Sequence, residues 1–366
     1  MPILRPEIEA IPPYEVGRPI EDVVREYGVD PSQVVRLTAN ESPFGPFPGV
    51  IEAINREAAG LNRYPDNQAW ALGGRLAEEL GVGHENLLFA NGSTAHLADF
   101  AAAVGGPGTS LVYPWPSFIM YRYAAAWAGS QAVEVALDAG HGVDLAAIGD
   151  AIDERTRMVI LCNPNNPTGT ILDAGDLSDF IAGVPESVLV VVDEAYAEFV
   201  EDPSFRTTTE LAVEAPNVLT LRTFSKIYAL AGLRVGYAVG NAETLARLRR
   251  GQQPLTVNRI GQAAALASLG QPEEVQRRVQ ANSAGRHHLA GAIEERGLLQ
   301  VRSHTNFVLF QMAESDSAAV AREFTKRGVI IRPAVDGWLR VTVGLPEENR
   351  RFVDAMDDII GVVAPT

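Results

Sequence analysis

The chain has 366 residues, a formal net charge of −16 at pH 7 and a single cysteine, Cys162. This length suits one large and one smaller domain, and the acidic balance argues against binding to nucleic acid or to an anionic membrane, because no basic tract is present to release counterions. One cysteine excludes an internal disulfide, and neither a leader nor a membrane-spanning apolar run is apparent, so we expect a cytoplasmic enzyme that acts on small molecules.

The first forty residues contain a proline-rich stretch, "IPPYEVGRP", and predict an arm (residues 1–40) that joins the smaller domain. Beyond the arm, short apolar runs alternate with longer amphipathic stretches. Near-continuous Val, Leu and Ile in the runs predict buried strands of a mostly parallel sheet that is covered by helices on both faces. We therefore expect an α/β domain over residues 41–258. The predicted strands are "NLLFAN", "TSLVYP", "RMVILCNP", "SVLVVVDEAY", "VLTLRTFS" and "VGYAVG".

From about Arg259 the pattern changes. A long helical region runs from "GQAAALASL" through "HHLAGAIEERG", and three strand-like segments follow it, "NFVLFQM", "GVIIRP" and "WLRVTVG". This order predicts a smaller α+β domain over residues 259–366.

Ligands of open α/β sheets gather at the carboxyl ends of the strands, so the residues that follow each strand are the first candidates for a site. Gly92, Ser93 and Thr94 follow "NLLFAN" and precede an apolar helical pattern, which places free backbone N–H groups where an anion could bind. The alternative is that Ser93 or Thr94 only caps a helix.

Two further strand ends carry polar groups. After "MVILC" comes "NPNNPTG", which is either a plain turn or a source of side-chain amides for a ligand. After "VLVVV" comes Asp193, with Tyr196 three residues later. A carboxylate at the end of an apolar strand should be buried, which is costly unless a cation or hydrogen-bond donors meet it. The alternative for Asp193 is a structural ion pair with an arginine.

The fourth strand end carries Lys226, one of only two lysines in the chain. The other, Lys326, fits the solvated last turn of a helix. Thr223, Ser225 and Arg234 lie near Lys226 in sequence, and two hydroxyls with a guanidinium suit a phosphate. A surface salt bridge is the alternative for Arg234, but its small and apolar neighbours in "AGLRVGYAVG" make us expect it to be covered.

Together these groups suit a ligand with a phosphate, a cationic ring nitrogen for Asp193 and a carbonyl for Lys226, which describes pyridoxal 5'-phosphate. Asp193 would keep the ring nitrogen protonated. We expect burial and nearby positive charge to lower the pKa of Lys226, so that it acts as nucleophile and then as general base. A nucleotide site is excluded, because neither GxGxxG nor a P-loop follows any predicted strand.

At this point the sequence resembles a known family, the fold-type I aminotransferases and specifically the histidinol-phosphate aminotransferases. Nearly the whole chain takes part in the resemblance. The matching segments are "PPYEVGRP", "LTANESPFGP", "NRYPD", "CNPNNPTG", "VDEAYAEF", "RTFSKIYALAGLRVGY", "NFVLF", "IIRP" and "LRVTVG", in family order.

The resemblance implies a fold-type I architecture and a role for each matching residue. Lys226, Asp193 and Tyr196 are implied as catalytic, with Lys226 bonded to the cofactor. Phe118 falls where the family stacks an aromatic ring on the cofactor, although a phenylalanine is more often ordinary core. Tyr64 falls where the family reaches across a homodimer interface to the partner's phosphate. The implied cofactor-binding set is Ser93, Thr94, Phe118, Asn166, Asp193, Tyr196, Thr223, Ser225, Lys226, Arg234 and, from the partner subunit, Tyr64.

On the substrate side the resemblance implies Arg340 for the alpha-carboxylate, Arg332 and Tyr14 for a substrate phosphate, and Asn40 nearby. The expected reaction moves an amino group from histidinol phosphate to 2-oxoglutarate, in histidine biosynthesis. The alternatives are an aromatic amino acid aminotransferase, a decarboxylase or lyase of a phosphorylated amino acid, and a non-catalytic binding module. We expect no metal site: no second His, Cys or acid stands at metal spacing from His96, which suits a structural role.

Overall fold

The computed structural model describes residues 3–14, 17–312, 316–335 and 337–363. The strands are β1 Val35–Arg36, β2 Leu87–Ala90, β3 Ser110–Trp115, β4 Gln131–Ala136, β5 Thr156–Cys162, β6 Leu189–Asp193, β7 Val218–Thr223, β8 Gly236–Gly240, β9 Leu299–Val301, β10 Phe307–Gln311, β11 Val329–Ile330, β12 Arg332–Val335 and β13 Trp338–Thr342. The helices are α1 Pro6–Ala10, α2 Ile20–Tyr27, α3 Val50–Ala58, α4 Trp70–Leu80, α5 Ser93–Val104, α6 Met120–Ala128, α7 Leu145–Asp150, α8 Ala174–Gly183, α9 Thr209–Glu214, α10 Ala242–Leu248, α11 Arg259–Ser268, α12 Pro272–Glu295, α13 Ser317–Lys326 and α14 Pro346–Val363.

A seven-stranded sheet, in the order β2-β8-β7-β6-β5-β3-β4, forms the centre of the molecule. Strand β8 runs antiparallel to both of its neighbours, and the other six strands are parallel to one another. All six strands predicted for this sheet are present, so the mostly parallel α/β arrangement is confirmed. The seventh strand, β4, was not predicted. It lies at the sheet edge, and no residue along it is fully buried, so it lacks the continuous apolar run of its neighbours.

Helices cover both faces of this sheet. Successive side chains of a strand point to opposite faces, so each strand contributes to two apolar clusters. In β5, Met158 and Ile160 pack in a cluster with residues of α5 and α6. Val159 and Leu161 pack in a second cluster with residues of α7 and α8. The interior of β5 is therefore apolar from Met158 to Cys162, and polar residues follow where the strand ends.

A second sheet of four antiparallel strands, β12-β13-β10-β9, packs with α12, α13 and α14 around its own apolar cluster. The segment "GVIIRP", predicted as one strand, is two: β11 pairs in parallel with β1, and β12 pairs with β13. Ile331 lies between them and is buried in the same cluster. The α+β character of this part is confirmed.

The N-terminal arm contacts both parts of the molecule. The Arg5 side chain donates to the carbonyl of Trp127 at 2.7 Å, and the hydroxyl of Tyr123 donates to the carbonyl of Pro12, so the first residues lie on α6. Further along, α2 contacts α13, and β1 joins β11. The division at residues 40 and 258 stays a prediction; α11, which follows residue 258, packs on α3 and α4. None of the helices within the described residues has both the length and the apolar character needed to cross a membrane.

Candidate active site

The carboxyl ends of β2, β3, β5, β6 and β7 open into one cavity of about 700 Å³. Parallel strands end at the same edge of a sheet, so residues that are far apart in sequence meet there. The cavity is lined by every predicted site residue except Tyr64, namely Tyr14, Asn40, Ser93, Thr94, Phe118, Asn166, Asp193, Tyr196, Thr223, Ser225, Lys226, Arg234, Arg332 and Arg340. The predicted convergence of strand ends is therefore present in the structure.

Lys226 is partly buried, three residues beyond the end of β7. Its Nζ donates hydrogen bonds to the carbonyl oxygens of Ala39 at 3.3 Å and Asn40 at 3.1 Å. Burial, helped by the positive charges of Arg340 and Arg234, lowers the pKa of Lys226 to about 8. A useful fraction of the amine is therefore neutral near physiological pH, as a nucleophile or a general base requires.

Asp193 ends β6 and is only 2% exposed. Its carboxylate accepts hydrogen bonds from the Tyr121 hydroxyl at 3.1 Å and from the backbone N–H of Ala195 at 3.3 Å. Burial raises the pKa of Asp193 to about 6, so the group is ionised above that pH. The buried carboxylate thus keeps its charge at pH 7 with neutral donors only.

The alternative of a structural ion pair for Asp193 is not realised among the described residues. The neighbouring carboxylate, Glu194, forms that kind of pair instead, with Arg222 at 3.2 Å. Glu194 also accepts from the backbone N–H of Thr208 at 2.7 Å. Two consecutive acids at one strand end therefore have different environments: Glu194 is ion-paired in the protein interior, and Asp193 faces the cavity without an ion pair among the described residues.

Tyr196 lies beside Asp193 with its hydroxyl in a network of side-chain amides. Asn40 Nδ2 donates to this hydroxyl at 2.9 Å, and Asn166 Nδ2 donates to it at 3.4 Å. Arg340 Nη1 in turn donates to Asn166 Oδ1 at 2.6 Å. The side chains of Tyr196, Asn40 and Asn166 are all buried, so their orientations are set by these bonds.

The residues predicted to bind an anion surround the start of α5. Ser93 and Thr94 are the first two residues of this helix, whose N-cap is Gly92 with no side-chain cap, so the alternative that Ser93 or Thr94 only caps the helix is wrong. Across from them, Thr223 and Ser225 share a hydrogen bond of 3.0 Å, and Arg234 Nη1 donates to Ser225 at 3.4 Å.

Two glycines lie next to this predicted anion site. A Cβ at Gly92 would lie 2.4 Å from the Arg234 guanidinium. At Gly236, in β8, a Cβ would lie 2.3 Å from the backbone nitrogen of Ser93. The absence of side chains at both positions lets β8 and Arg234 approach the helix end, leaving its N–H groups open to a ligand.

The prediction that Arg234 is covered is wrong: its side chain is exposed. It follows a short 3₁₀ turn and takes a left-handed backbone conformation with φ of 56°. Val235, next to it, is fully buried. The apolar neighbours thus pack inward, while Arg234 points into the open cavity. The local composition did not distinguish the orientation of Arg234 from that of its neighbours.

The two aromatic residues predicted for the cofactor have different places. Phe118 is partly buried, lines the cavity and contacts the Tyr121 ring edge-on, with ring centroids 5.8 Å apart. Tyr64 is 82% exposed and does not line the cavity of its own chain. A role for Tyr64 in the site of a partner subunit stays a prediction.

The two arginines predicted to bind the substrate both line the cavity. Arg340 is buried, and burial lowers its pKa to about 10; its Nη2 donates to the carbonyl of Thr38 at 2.7 Å. Arg332, at the start of β12, lies with its guanidinium carbon 5.7 Å from the ring centre of Tyr14. These two arginines come from adjacent strands and face each other directly in the strand register.

Three residues of the site were missed from sequence. Tyr121 donates to Asp193 from α6, and Thr342 bonds to Asn40 across 302 residues of chain. Trp115 lines the cavity beneath the guanidinium of Arg122, 3.6 Å from its ring centre. The available signal was position at a strand end, which Trp115 has in β3 and Thr342 has in β13, whereas Tyr121 lies in α6.

His96 is completely buried and stacks on Phe100, with ring centroids 5.1 Å apart. Burial lowers its pKa to about 3, so its ring is neutral and part of the core. Within the residues that the structure describes, no group of three His, Cys, Asp or Glu could hold a metal ion.

Comparisons with known proteins show the family of the chain. The family "Aminotransferase class I and II" matches residues 32–356. The chain is 42% identical over 357 residues to histidinol-phosphate aminotransferase 1 of Cupriavidus pinatubonensis, covering 96% of this chain and 94% of the relative. It is 39% identical to the aromatic amino acid aminotransferase of Streptomyces coelicolor, covering 98% and 97%.

Among solved structures, the chain resembles histidinol-phosphate aminotransferase from Sinorhizobium meliloti in complex with pyridoxal 5'-phosphate. The TM-score is 0.90 at 28% identity, covering 99% of this chain and 98% of that one. The predicted fold-type I architecture is confirmed. With a matching family over most of its length and relatives of this similarity, the chain belongs to the class I and II aminotransferases.

Proposed function

We propose that this aminotransferase moves an amino group from histidinol phosphate to 2-oxoglutarate, with pyridoxal 5'-phosphate as cofactor. The observation that carries the proposal is one cavity that holds an amine of lowered pKa, a buried carboxylate and a cationic outer side, at Lys226, Asp193 and Arg332. The histidinol-phosphate aminotransferases among the relatives, such as that of Cupriavidus pinatubonensis, support this choice of donor. Family membership favours transamination over a lyase reaction or a non-catalytic module.

The residues present fit this cofactor. Asp193, which makes no ion pair among the described residues, would accept a hydrogen bond from a protonated ring nitrogen. The open start of α5, kept free by Gly92 and Gly236, would receive the phosphate. The phosphate ligands would be Ser93, Thr94, Thr223, Ser225 and Arg234. The ring contacts would come from Phe118, Asn166 and Tyr196.

When bound, the cofactor supplies an electron-withdrawing ring that makes the C–H bond at the alpha carbon of the amino acid acidic. Lys226 is the residue that would hold the cofactor through its amine, and the free amine would serve as the base. With a pKa of about 8, the neutral Nζ then accepts the alpha proton and returns it as a general acid. Asp193, ionised above pH 6, would keep the ring nitrogen of the cofactor protonated.

Arginines position the substrate. Arg340 would bind the alpha-carboxylate through its guanidinium, whose Nε has no hydrogen-bond partner within the described residues. Arg332 and Tyr14 would bind the phosphate of histidinol phosphate at the outer side of the cavity. Asn40 contributes through Tyr196, to which its amide donates.

An aromatic amino acid is the second candidate donor. Trp115, Ile119 and Met120 give the cavity an apolar wall, which suits a phenyl or indole group. Relatives named aromatic amino acid aminotransferase have nearly the same identity to this chain as those named histidinol-phosphate aminotransferase.

We also propose that the enzyme works in the cytoplasm as a homodimer with shared active sites. The support is the high exposure of Tyr64, a large aromatic side chain that takes no part in the cavity of its own chain. Tyrosine, with an apolar ring and a polar hydroxyl, is enriched at protein interfaces. The division into arm, large domain and small domain at residues 40 and 258 is part of the same proposal.

The test is a kinetic comparison of purified enzyme with histidinol phosphate, phenylalanine, tyrosine and tryptophan as donors and 2-oxoglutarate as acceptor. We expect kcat/KM for histidinol phosphate to exceed the other values by at least tenfold, as a charge-assisted phosphate contact provides. A higher kcat/KM for phenylalanine or tyrosine overturns the proposed donor and selects the second candidate. Absence of transfer from all four donors overturns the proposal as a whole.

A further inference from the structure

The hydroxyl of Tyr196 accepts hydrogen bonds from two amides, Asn40 Nδ2 and Asn166 Nδ2. A phenol hydroxyl has one proton of its own to donate and an oxygen that accepts. Because both amides point their N–H groups at this oxygen, the proton of Tyr196 is directed away from them. The direction of that proton therefore depends on how each amide is turned.

The amide of Asn40 is turned by Thr342. The backbone N–H of Asn40 donates to Thr342 Oγ1 at 3.0 Å. Since this oxygen already receives a proton, the hydroxyl's own proton goes to its other partner, Asn40 Oδ1, at 3.1 Å. With its oxygen bound to Thr342, the Asn40 amide presents its NH₂ group to Tyr196.

The amide of Asn166 is turned differently, by Arg340 Nη1, which donates to its Oδ1. Arg340 lines the cavity, whereas Thr342 is 3% exposed and is not among the cavity residues. Thr342 therefore does not touch a ligand in the cavity and acts there through Asn40, which does line it.

The contact between Thr342 and Asn40 matters because of the backbone conformation of Asn40. Asn40 has a left-handed conformation, with φ of 54°, and its side chain is buried. Such a conformation costs energy for a residue with a Cβ and persists only where surrounding contacts hold it. Thr342 holds both the backbone and the side chain of Asn40, and Asn306 Nδ2 holds its carbonyl at 3.1 Å.

We propose that Thr342 is a positioning residue that fixes the Asn40 amide and thereby aims the hydroxyl proton of Tyr196 into the cavity. Under the proposed function, on which this inference rests, the acceptor there is the oxygen of the cofactor ring. Without the Thr342 hydroxyl, the Asn40 amide can turn over and offer its oxygen to Tyr196, which then donates to Asn40 and no longer to the cavity.

The first test follows the pH titration of the visible absorbance of the loaded enzyme, without substrate. A donor to the ring oxygen stabilises the deprotonated, more negative form of the chromophore, so losing that donor raises the pH midpoint. We expect Thr342→Val to raise the midpoint by about half a pH unit, in the same direction as Tyr196→Phe and by less. Thr342→Ser, which keeps the hydroxyl, should restore the wild-type midpoint.

Two controls separate positioning from general damage. Thr325→Val removes another buried threonine hydroxyl, one that bonds to the carbonyl of Ala321, and should leave the midpoint unchanged. In the Tyr196→Phe background, Thr342→Val should add no further shift, because it acts through the missing hydroxyl. A wild-type midpoint in Thr342→Val, or a full additional shift in the double variant, overturns the proposal.

A second measurement needs no cofactor. Hydrogen exchange of the segment 38–42 in the apo-protein should be faster in Thr342→Val than in Thr342→Ser, because the buried N–H of Asn40 loses its acceptor. Equal exchange in the two variants overturns the proposal whatever the absorbance gives. If wild-type protein develops no visible absorbance with pyridoxal 5'-phosphate, the proposed function fails, and the exchange measurement still decides whether Thr342 holds Asn40.

Discussion

Lys226 combines reactivity with a cost to stability. Its pKa is lowered from 10.5 to about 8, so the folded protein holds the charged amine less readily than the unfolded chain does. Below pH 8 the amine is charged in both states, and the folded state bears the full penalty. As the pH rises from 8 to above 10.5 the penalty disappears, because the amine becomes neutral in both states.

We therefore predict that Lys226→Met abolishes transamination and yet stabilises the apo-protein at pH 7. The expected gain in the free energy of unfolding is about 1–2 kcal/mol after allowance for the partial exposure of the amine. Urea unfolding at pH 7 and pH 10.5 measures it, and the gain should shrink at the higher pH. The control is Lys326→Met, since this other lysine is exposed and pairs with Glu323 on the same helix. A variant less stable than wild type at pH 7 contradicts the prediction.

Substitution of Arg332 is expected to affect the two candidate donors differently. It lies beside Tyr14 at the outer side of the cavity. We predict that Arg332→Ala lowers kcat/KM for histidinol phosphate about 10- to 100-fold and changes that for phenylalanine less than threefold, because only the phosphate uses a charge-assisted contact. Steady-state kinetics of both donors test this, with Arg322→Ala as the matched control. Equal losses for both donors would assign Arg332 a structural role.

Residue types at strand ends revealed most of the site from sequence. Lys226 and Asp193 could be found because a charged group after an apolar strand demands an explanation. Thr342 and Tyr121 could not be found in this way. Tyr121 lies in a helix, and Thr342, although it ends β13, carries no charge; each acts through a partner that only the fold brings near. Arg234 was misjudged for the reverse reason: its neighbours are apolar, yet the backbone turns it outward.

At the scale of elements, β8 contacts the start of α5 at the predicted anion site. Gly236 pairs with Ala90 in the sheet, and a Cβ there would meet backbone atoms of Gly92 and Ser93 rather than a flexible side chain. The helix end therefore lies against the strand with no room for a methyl group.

We predict that Gly236→Ala displaces the first turn of α5. The expected result is a loss of about 1–3 kcal/mol in the free energy of unfolding of the apo-protein. Affinity for pyridoxal 5'-phosphate should fall at least tenfold, because the N–H groups of the helix end move. Urea unfolding and an absorbance titration measure the two effects. Gly74→Ala, in α4 with open space around it, is the control and should cost nothing. Unchanged cofactor affinity in Gly236→Ala contradicts the prediction.

Strands that are buried on both faces were easier to predict from the sequence than strands that are partly exposed. Strands with continuous apolar runs, such as β5 and β6, were found because both of their faces are covered. The edge strand β4 was missed because it is partly exposed along its length. The division of "GVIIRP" into β11 and β12 depends on which partner strands are near, and a local pattern does not contain that information.

At the scale of the whole molecule, the exposed Tyr64 gives a test of a shared active site. We predict that hybrid dimers of Lys226→Ala and Tyr64→Ala chains regain about half of the wild-type activity per dimer, since one of their two sites then combines an intact lysine with an intact tyrosine. Each variant alone should be nearly inactive. Hybrids purified through two different affinity tags and assayed for transamination give the answer. Hybrids as inactive as the Lys226→Ala parent would place Tyr64 outside any shared site.

The overall architecture followed from sequence because alternating strands and helices leave few topologies. The arrangement of the arm did not. Its first residues are fixed to α6 by backbone carbonyls, through Arg5 and Tyr123, and hydrogen bonds to backbone carbonyls leave no mark in a sequence pattern. The placement of Tyr14 near Arg332 depends on that attachment.

The carbonyl oxygens of residues 38–40 connect the chemistry of the enzyme to its mechanics. Lys226, from the seven-stranded sheet, donates to Ala39 and Asn40, while Arg340, from the four-stranded sheet, donates to Thr38. Under the proposed function, an Nζ held in a covalent bond to the cofactor would have fewer protons to donate to these carbonyl oxygens. The reacting amine would then also control how firmly the segment that links the two sheets is held.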